Sequence, residues 1–200
     1  MAITVIVFDF DGTLVQSNTL KYEAFFQVFP DDATHRTVVQ QVLSEQHEES
    51  RYAILAAILR ALGGENEQLD STIKMLASRY NEIVLAGAKT CQECPGAQDI
   101  LRTLSQTYPL YLSSTTPEEA LRDIVAARGW TGYFREIFGY PRQKLSTLRA
   151  IVEREQVQPQ EVLVVGDGES DQRAAHEAGC VFFSVNEHPL FDLPPQLADG

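Results

Sequence analysis

The sequence predicts an α/β fold: a parallel sheet with helices on both faces, in three layers, and an all-helical segment inserted after the first strand. Three observations carry this reading. The chain opens on a continuous apolar run, "ITVIVF" at 3–8, which leads straight into "DFDGT". From "CPGAQDIL" onward, β-rich apolar runs alternate with stretches of helical spacing, the pattern of a parallel sheet with crossover helices. The stretch between these two regions has helical spacing throughout and no strand signal.

Taken in order, residues 3–8 read as a strand buried on both faces, because its apolar positions are consecutive rather than alternating. Between about Ser17 and Lys89, four segments space their apolar residues for helices: "TLKYEAFFQVF", "ATHRTVVQQVLSEQ", "SRYAILAAILRALGG" and "ENEQLDSTIKMLASRYNEIVLAG". Gly63 and Gly64 stop the third. Tyr22, Phe25, Phe26 and Phe29 form a helical aromatic stripe, expected to be core of this bundle. After the Pro95-Gly96 turn, "AQDILRTLSQ" reads as a helix and "PLYLSS" as a strand. "TPEEALRDIVAARG" reads as a helix with Thr116 as N-cap, Pro117 at the first helical position and acids in the first turn. "YFREIFGY" is a short segment or strand, with Trp130 and Tyr133 packing under a loop. "KLSTLRAIVEREQ" (helix), "EVLVVGDG" (strand), "SDQRAAHEAG" (helix) and "VFFSV" (strand) complete the sheet, followed by a turn-rich tail expected to be loose at its end. The domain boundaries this predicts are 1–15 with 92–200 for the sheet domain and 16–91 for the helical insert.

The composition fits a globular chain with a proper core. Of 200 residues, 44% are hydrophobic and 22% charged. The net charge of −12 argues against a nucleic-acid or anionic-membrane surface, which needs basic patches. A small anionic substrate held by a few local cations remains open. The start lacks a basic region ahead of its apolar run, so no signal peptide is expected, and no apolar run approaches the roughly 20 residues of a membrane span. Three cysteines, an odd number, point to reduced thiols and a cytoplasmic location. Cys91 and Cys94 form a CxxC without the second pair that a structural zinc site would want. His35, His47, His176 and His188 show no metal spacing.

The chemistry lies at strand ends. In an extended chain side chains alternate, so Asp9 and Asp11 point the same way and Phe10 the other. Gly12 then lets the backbone turn sharply. Sites in open parallel sheets lie beyond the carboxyl ends of the strands. "VLVVGDGESD" repeats the design with Asp167 and Asp171. Four carboxylates converging at one edge would repel one another; a divalent cation relieves that repulsion, and hard oxygen ligands suit Mg²⁺. "YLSSTTP" offers the hydroxyls of Ser113, Ser114 and Thr115, which can donate to an anionic oxygen. Lys144, in "GYPRQKLSTL", stands where a loop meets a helix, with Arg142 as the rival cation.

The order "DFDGTL", "LYLSS", Lys144, "VVGDGESD" resembles the haloacid dehalogenase-like superfamily, of the subclass with a helical cap inserted after the first strand, such as phosphoglycolate phosphatases and beta-phosphoglucomutases. The resemblance covers the whole chain and implies a Rossmann-like core carrying the cap. It implies that Asp9 is the nucleophile and becomes an aspartyl phosphate, and that Asp11 is first general acid and then general base. It implies Mg²⁺ on the Asp9 carboxylate, the Asp11 backbone carbonyl and Asp167, with Asp171 orienting metal waters or Lys144. Ser114 and the backbone after it would bind a phosphoryl oxygen, with Gly12, Thr13, Ser113 and Thr115 beside it, and Lys144 would neutralise phosphate charge. In the cap, Lys21 is expected to contact the phosphate or leaving group. Arg51, in "ESRYAIL", resembles a cap arginine that grips a second anion, a role its forked guanidinium suits. Gln16, Ser17 and Asn18 lie near enough in sequence to touch substrate.

The expected function is therefore an Mg²⁺-dependent phosphatase acting on a small phosphorylated metabolite, with sugar phosphates among the candidates, with neither nucleic acid nor membrane as partner and a monomer or weak dimer as assembly. A phosphomutase would use the same residues. A dehalogenase would lack Asp11. A phosphonate hydrolase would carry an imine-forming cap lysine, for which Lys21 is the candidate, and usually an altered first motif; "DFDGTL" fits a phosphatase better. A receiver-like binding module would lack both the helical insert and the late GDxxxD.

Overall fold

The computed structural model describes residues 2–46, 50–64 and 68–193. The chain divides into two compact units, one running to Gln16 and resuming at Lys89, the other spanning Ser17–Ala88. The end of the turn-rich tail, 194–200, lies outside the described residues.

The first unit is built on five parallel strands: β1 (Val5–Phe8), β2 (Leu110–Pro117), β3 (Glu136–Tyr140), β4 (Val162–Gly166) and β5 (Val181–Ser184), in the order β3-β2-β1-β4-β5. β1 is central. It pairs with β2 through Ile6 and Leu110 and with β4 through Val5 and Val162. That is why all four of its residues are buried and why the sequence there is apolar without alternation. Val5, Val7, Tyr111, Val162 and Val164 pack on Leu148, Ile151, Ala174 and Ala175 of the helices α7 (Lys144–Glu155) and α8 (Glu169–Ala178). By alternation Ile6, Phe8, Leu110 and Leu112 face the other side, where α6 (Glu118–Ala127) packs on β2 and β3. α5 (Ala97–Leu104) buries Ile100, Leu101 and Leu104 and follows Gly96, whose φ of 81° a side chain would strain.

β2 runs further than its apolar sequence suggests. Its pairing with β3 shifts between Ser113, opposite Phe138, and Pro117, opposite Tyr140. Four residue steps on β2 thus face two on β3, a bulge over Ser114–Thr116. This corrects the reading of Thr116 as a helix cap. Proline disfavours helical backbone in the residue before it, so Thr116 stays in the strand. Pro117 is the cap position with ψ 133°, and α6 starts at Glu118.

The second unit is helical among the described residues: α1 (Ser17–Gln27), α2 (Ala33–Glu45), α3 (Arg51–Ala61) and α4 (Leu69–Ala88). Asp32 and Ser50 cap α2 and α3 by accepting from the backbone N–H of His35 and Ala53. The core joins Phe25 and Val28 to Val39, Leu43, Leu55, Ile58, Leu76, Tyr80 and Val84. Of the aromatic stripe on α1, Phe25 is buried and Phe26 and Phe29 pack against the core. Tyr22 is 46% exposed, a correction to its placement in the core. A Cβ on Gly87 of α4 would stand 2.6 Å from Leu20, so this glycine is what lets α1 and α4 approach.

The boundary between units falls at Gln16/Ser17 and Ala88/Lys89, slightly inside the 16–91 read from the sequence. The physical reason is local pairing. Val15 bridges to both Asp11 and Glu93, and the N–H of Gln16 donates to Gln92 O at 2.9 Å, so residues around 92 belong with the sheet. No described helix is long and apolar enough to cross a membrane.

Candidate active site

The strand ends converge at the carboxyl edge of β1, β2 and β4. Asp9 follows β1 directly, is 5% exposed, and its N–H donates to Val165 O at 2.8 Å. Gly12, with φ 75°, turns the chain back, and its N–H donates to Val15 O at 2.8 Å. β4 ends at Gly166, so Asp167 stands beside Asp9. Asp171 is buried in the first turn of α8, where the helix dipole favours a carboxylate. Lys144, the first residue of α7, sends Nζ between two of these acids. It donates to Asp9 Oδ1 at 2.9 Å and to Asp171 Oδ1 at 2.6 Å. Arg142, the rival cation, is exposed and lies over the Phe138 ring at 5.1 Å.

Charge governs this centre. Burial, with Asp171 and Asp11 adding to it, raises the Asp9 carboxyl to about 7 against the pull of Lys144. Burial also raises Asp171, against the pull of Lys144. For Lys144 burial disfavours the ammonium, but Asp9 and Asp171 outweigh it and hold the amine charged. Lys144 offsets only part of the negative charge of Asp9, Asp167 and Asp171. Ligand oxygens of Asp9, Asp167 and Asp171 lie within 4.8 Å of one another, the one group of three metal-competent side chains among the described residues. An all-carboxylate set is hard-donor chemistry and fits a divalent cation such as Mg²⁺. The Asp11 side chain lies outside this group, turned to the end of β2, and its charge still acts on Asp9. His47 lies outside the described residues.

At the end of β2, Thr116 Oγ1 donates to Asp11 Oδ2 at 2.9 Å, and Ser114 Oγ approaches the same oxygen at 3.5 Å. Ser114 Oγ also accepts from Thr116 N at 3.1 Å. Ser113 lines a small buried void with Asp9, Lys144 and Asp171, whereas Thr115 is exposed. Thr13, fully buried, directs Oγ1 toward Asp167 Oδ1 at 3.4 Å. Thr116 and Asn186 are absent from the site residues that the sequence singles out. Asn186 Nδ2 donates to Asp167 O at 2.7 Å, fixing the loop after β4. Thr116 carries a signal, its period-two relation to Ser114 at a strand end. Asn186 carries none beyond following the last strand.

Cys94 Sγ donates to Gly12 O at 3.6 Å, and Arg128 Nη2 donates to Cys91 Sγ at 3.2 Å, so the CxxC segment packs beside the Gly12 turn. Burial raises both thiols, Cys94 to about 11, which keeps them protonated at neutral pH. Gln16 Nε2 donates to Glu93 O at 3.0 Å, and Ser17 is buried at the start of α1. Lys21 and Arg51 belong to the helical unit. They line a cavity of about 500 Å³ within the helical unit, with Asn18, Tyr22, Phe25 and Tyr80. Arg51 Nε is buried there with no hydrogen-bond partner among the described residues.

A family model described as haloacid dehalogenase-like hydrolase matches residues 6–185. A phosphoglycolate phosphatase of Vibrio vulnificus is 30% identical over 92% of this chain and 83% of its own length. Among solved structures, a haloacid dehalogenase-like family hydrolase from Streptococcus pneumoniae superimposes with a TM-score of 0.67 at 23% identity, covering 91% of this chain and 84% of that one. A proposed beta-phosphoglucomutase from Thermotoga maritima gives 0.68 at 20% identity, covering 91% and 85%.

Proposed function

This chain belongs to the haloacid dehalogenase-like hydrolase family and is a phosphatase enzyme of that family, and from that premise we propose that it hydrolyses a small phosphate monoester through a phosphorylated Asp9. The observation that carries the proposal is the buried Asp9 carboxylate held by Lys144 at 2.9 Å, at the edge where Asp11 and the β2 hydroxyls meet.

Lys144 favours the ionised form of Asp9 and takes only Oδ1, so Oδ2 stands outside that contact for attack on phosphorus. As the P–O bond to the leaving group breaks, Asp11 gives its proton to the departing oxygen. The same carboxylate then takes a proton from water, whose oxygen attacks phosphorus and returns Asp9 as a free carboxylate. Positioned acid–base groups of this kind supply about 10²–10⁴ in rate. Ser114, with Gly12, Thr13, Ser113 and Thr115 around it, holds phosphoryl oxygens. Asp171 keeps the ammonium of Lys144 directed at Asp9. We assign Mg²⁺ to Asp9, Asp167 and the Asp11 carbonyl, with Asp171 behind them. When bound, the ion supplies the positive charge that offsets the phosphoryl oxygens.

The helical unit is proposed to act as a cap that reads the rest of the substrate. A cavity carrying Lys21 and the buried, unpartnered Arg51 Nε suits a second anionic group. With phosphoglycolate phosphatases as relatives, this favours a small cytoplasmic phosphate ester that also bears a carboxylate. Comparing 2-phosphoglycolate with an uncharged-tail phosphate ester tests it. The carboxylate ester is expected to be preferred by wild type, and Arg51→Ala is expected to raise its KM about tenfold, the loss of one charge-assisted contact. Equal KM values for the two esters in both proteins would remove the second-anion reading. A phosphomutase would use the same centre, and the product separates the two: inorganic phosphate for the phosphatase, an isomeric ester for the mutase.

A further inference from the structure

We propose that Thr116 is a positioning residue that orients the Asp11 carboxyl for proton transfer, an inference that rests on the reading of Asp11 as the acid–base group. Two hydroxyls lie near Asp11 Oδ2, and they are not equivalent. The Thr116 contact is 2.9 Å, a full hydrogen bond, while Ser114 stands at 3.5 Å and uses a lone pair to accept from Thr116 N. A donor on Oδ2 disfavours protonation of that oxygen. It also fixes the rotation of the carboxyl, which is only half-buried and sits beside a glycine turn.

Thr116 is itself held from three sides. Pro117 after it confines its backbone to the extended region. The β2 bulge, where the register shifts between Ser113 and Pro117, brings the hydroxyls of residues 114 and 116 to one oxygen. Gly139 of β3 packs against its carbonyl: a Cβ there would stand 2.6 Å from Thr116 O and 2.4 Å from the Glu118 Cα. The strand therefore presents the hydroxyl from a rigid backbone, as precise placement of an acid–base group requires.

The test is leaving-group dependence. Departure of an alkoxide needs a proton, whereas p-nitrophenolate departs without one. For Thr116→Val, close in shape and lacking the hydroxyl, kcat/KM on an alkyl phosphate is expected to fall about tenfold or more, within the range a general acid supplies. On p-nitrophenyl phosphate kcat/KM should stay within about twofold, since only the proton-requiring step has lost its acid. Thr116→Ser, which keeps the donor, should restore the alkyl rate. Asp11→Ala is the control, expected to show the same discrimination more strongly, and thermal unfolding of each variant confirms folding. If Asp11→Ala discriminates and Thr116→Val lowers both substrates equally, or neither, Thr116 does not position the acid. Thr116 is equally ruled out if Thr116→Ser behaves like Thr116→Val. If Asp11→Ala fails to discriminate, the reading of Asp11 itself is wrong and the role of Thr116 falls with it.

Discussion

A Cβ on Gly166 would stand 2.6 Å from both Cβ and Cγ of Asp171, a distance at which carbon atoms overlap. The glycine that ends β4 is thus fixed by the acid that Lys144 holds five residues later. Gly166→Ala is expected to cost about 1–3 kcal/mol of stability through overpacking. It is also expected to lower kcat/KM, because Asp171 must move off Lys144; thermal unfolding beside steady-state kinetics reads both. A variant with wild-type activity would show that the Lys144–Asp171 contact of 2.6 Å is dispensable. At this scale the charged groups are legible in the sequence. Asp9, Asp167, Asp171 and Lys144 stand at strand and helix ends where turn and cap patterns announce them. The hydroxyl geometry is hidden. Thr116 resembles a helix cap because Thr-Pro-Glu-Glu is a good helix start; which oxygen a hydroxyl meets depends on the β2 bulge, which no local pattern encodes.

Among the elements, α7 matters most, because it begins at Lys144 and ends at Glu155, and both ends are anchored. Glu155 accepts from Tyr111 of β2 and from Arg135 Nη1, the latter at 2.8 and 2.6 Å. Burial alone would raise the Glu155 carboxyl, but the Tyr111 and Arg135 hydrogen bonds outweigh it and hold it below its ordinary value of 4.5. A carboxyl lowered in the folded state binds fewer protons there than in the unfolded chain. Its contribution is therefore complete above about 4.5 and is lost as pH falls through the lower folded value. Glu155→Gln is expected to destabilise by about 1 kcal/mol at pH 7, with the difference from wild type shrinking below pH 4.5, in denaturant titrations at several pH values. A difference independent of pH would assign the effect to packing instead. No local pattern announces this anchor, which joins residues 44 positions apart through tertiary packing alone. By contrast β1 and β4 are plain in the sequence, since strands buried on both faces read as unbroken apolar runs.

For the whole molecule, the alternation of strands and helices is enough to foresee a parallel sheet, and the run of helical spacing enough to foresee a helical insert. The unit boundary is less legible, because Val15 and Glu93 pair across a long stretch of sequence and draw both connecting segments into the sheet unit. The negative charge of the chain, −12 overall, poses the functional problem in physical form. An acidic protein that handles an anionic ester needs its cations concentrated where the chemistry is. Lys144 is one such cation, and the carboxylates around it are where a divalent ion would add the rest. The most direct measurement is inorganic phosphate release from phosphorylated metabolites with Mg²⁺, for wild type, wild type with EDTA, and Asp9→Asn. Wild type is expected to release phosphate, to stop in EDTA and to recover on excess Mg²⁺. Asp9→Asn, which cannot form the covalent intermediate, is expected to fall by about 10³-fold or more. Release by Asp9→Asn at the wild-type rate, from a folded protein, would contradict a mechanism that runs through a phosphorylated Asp9.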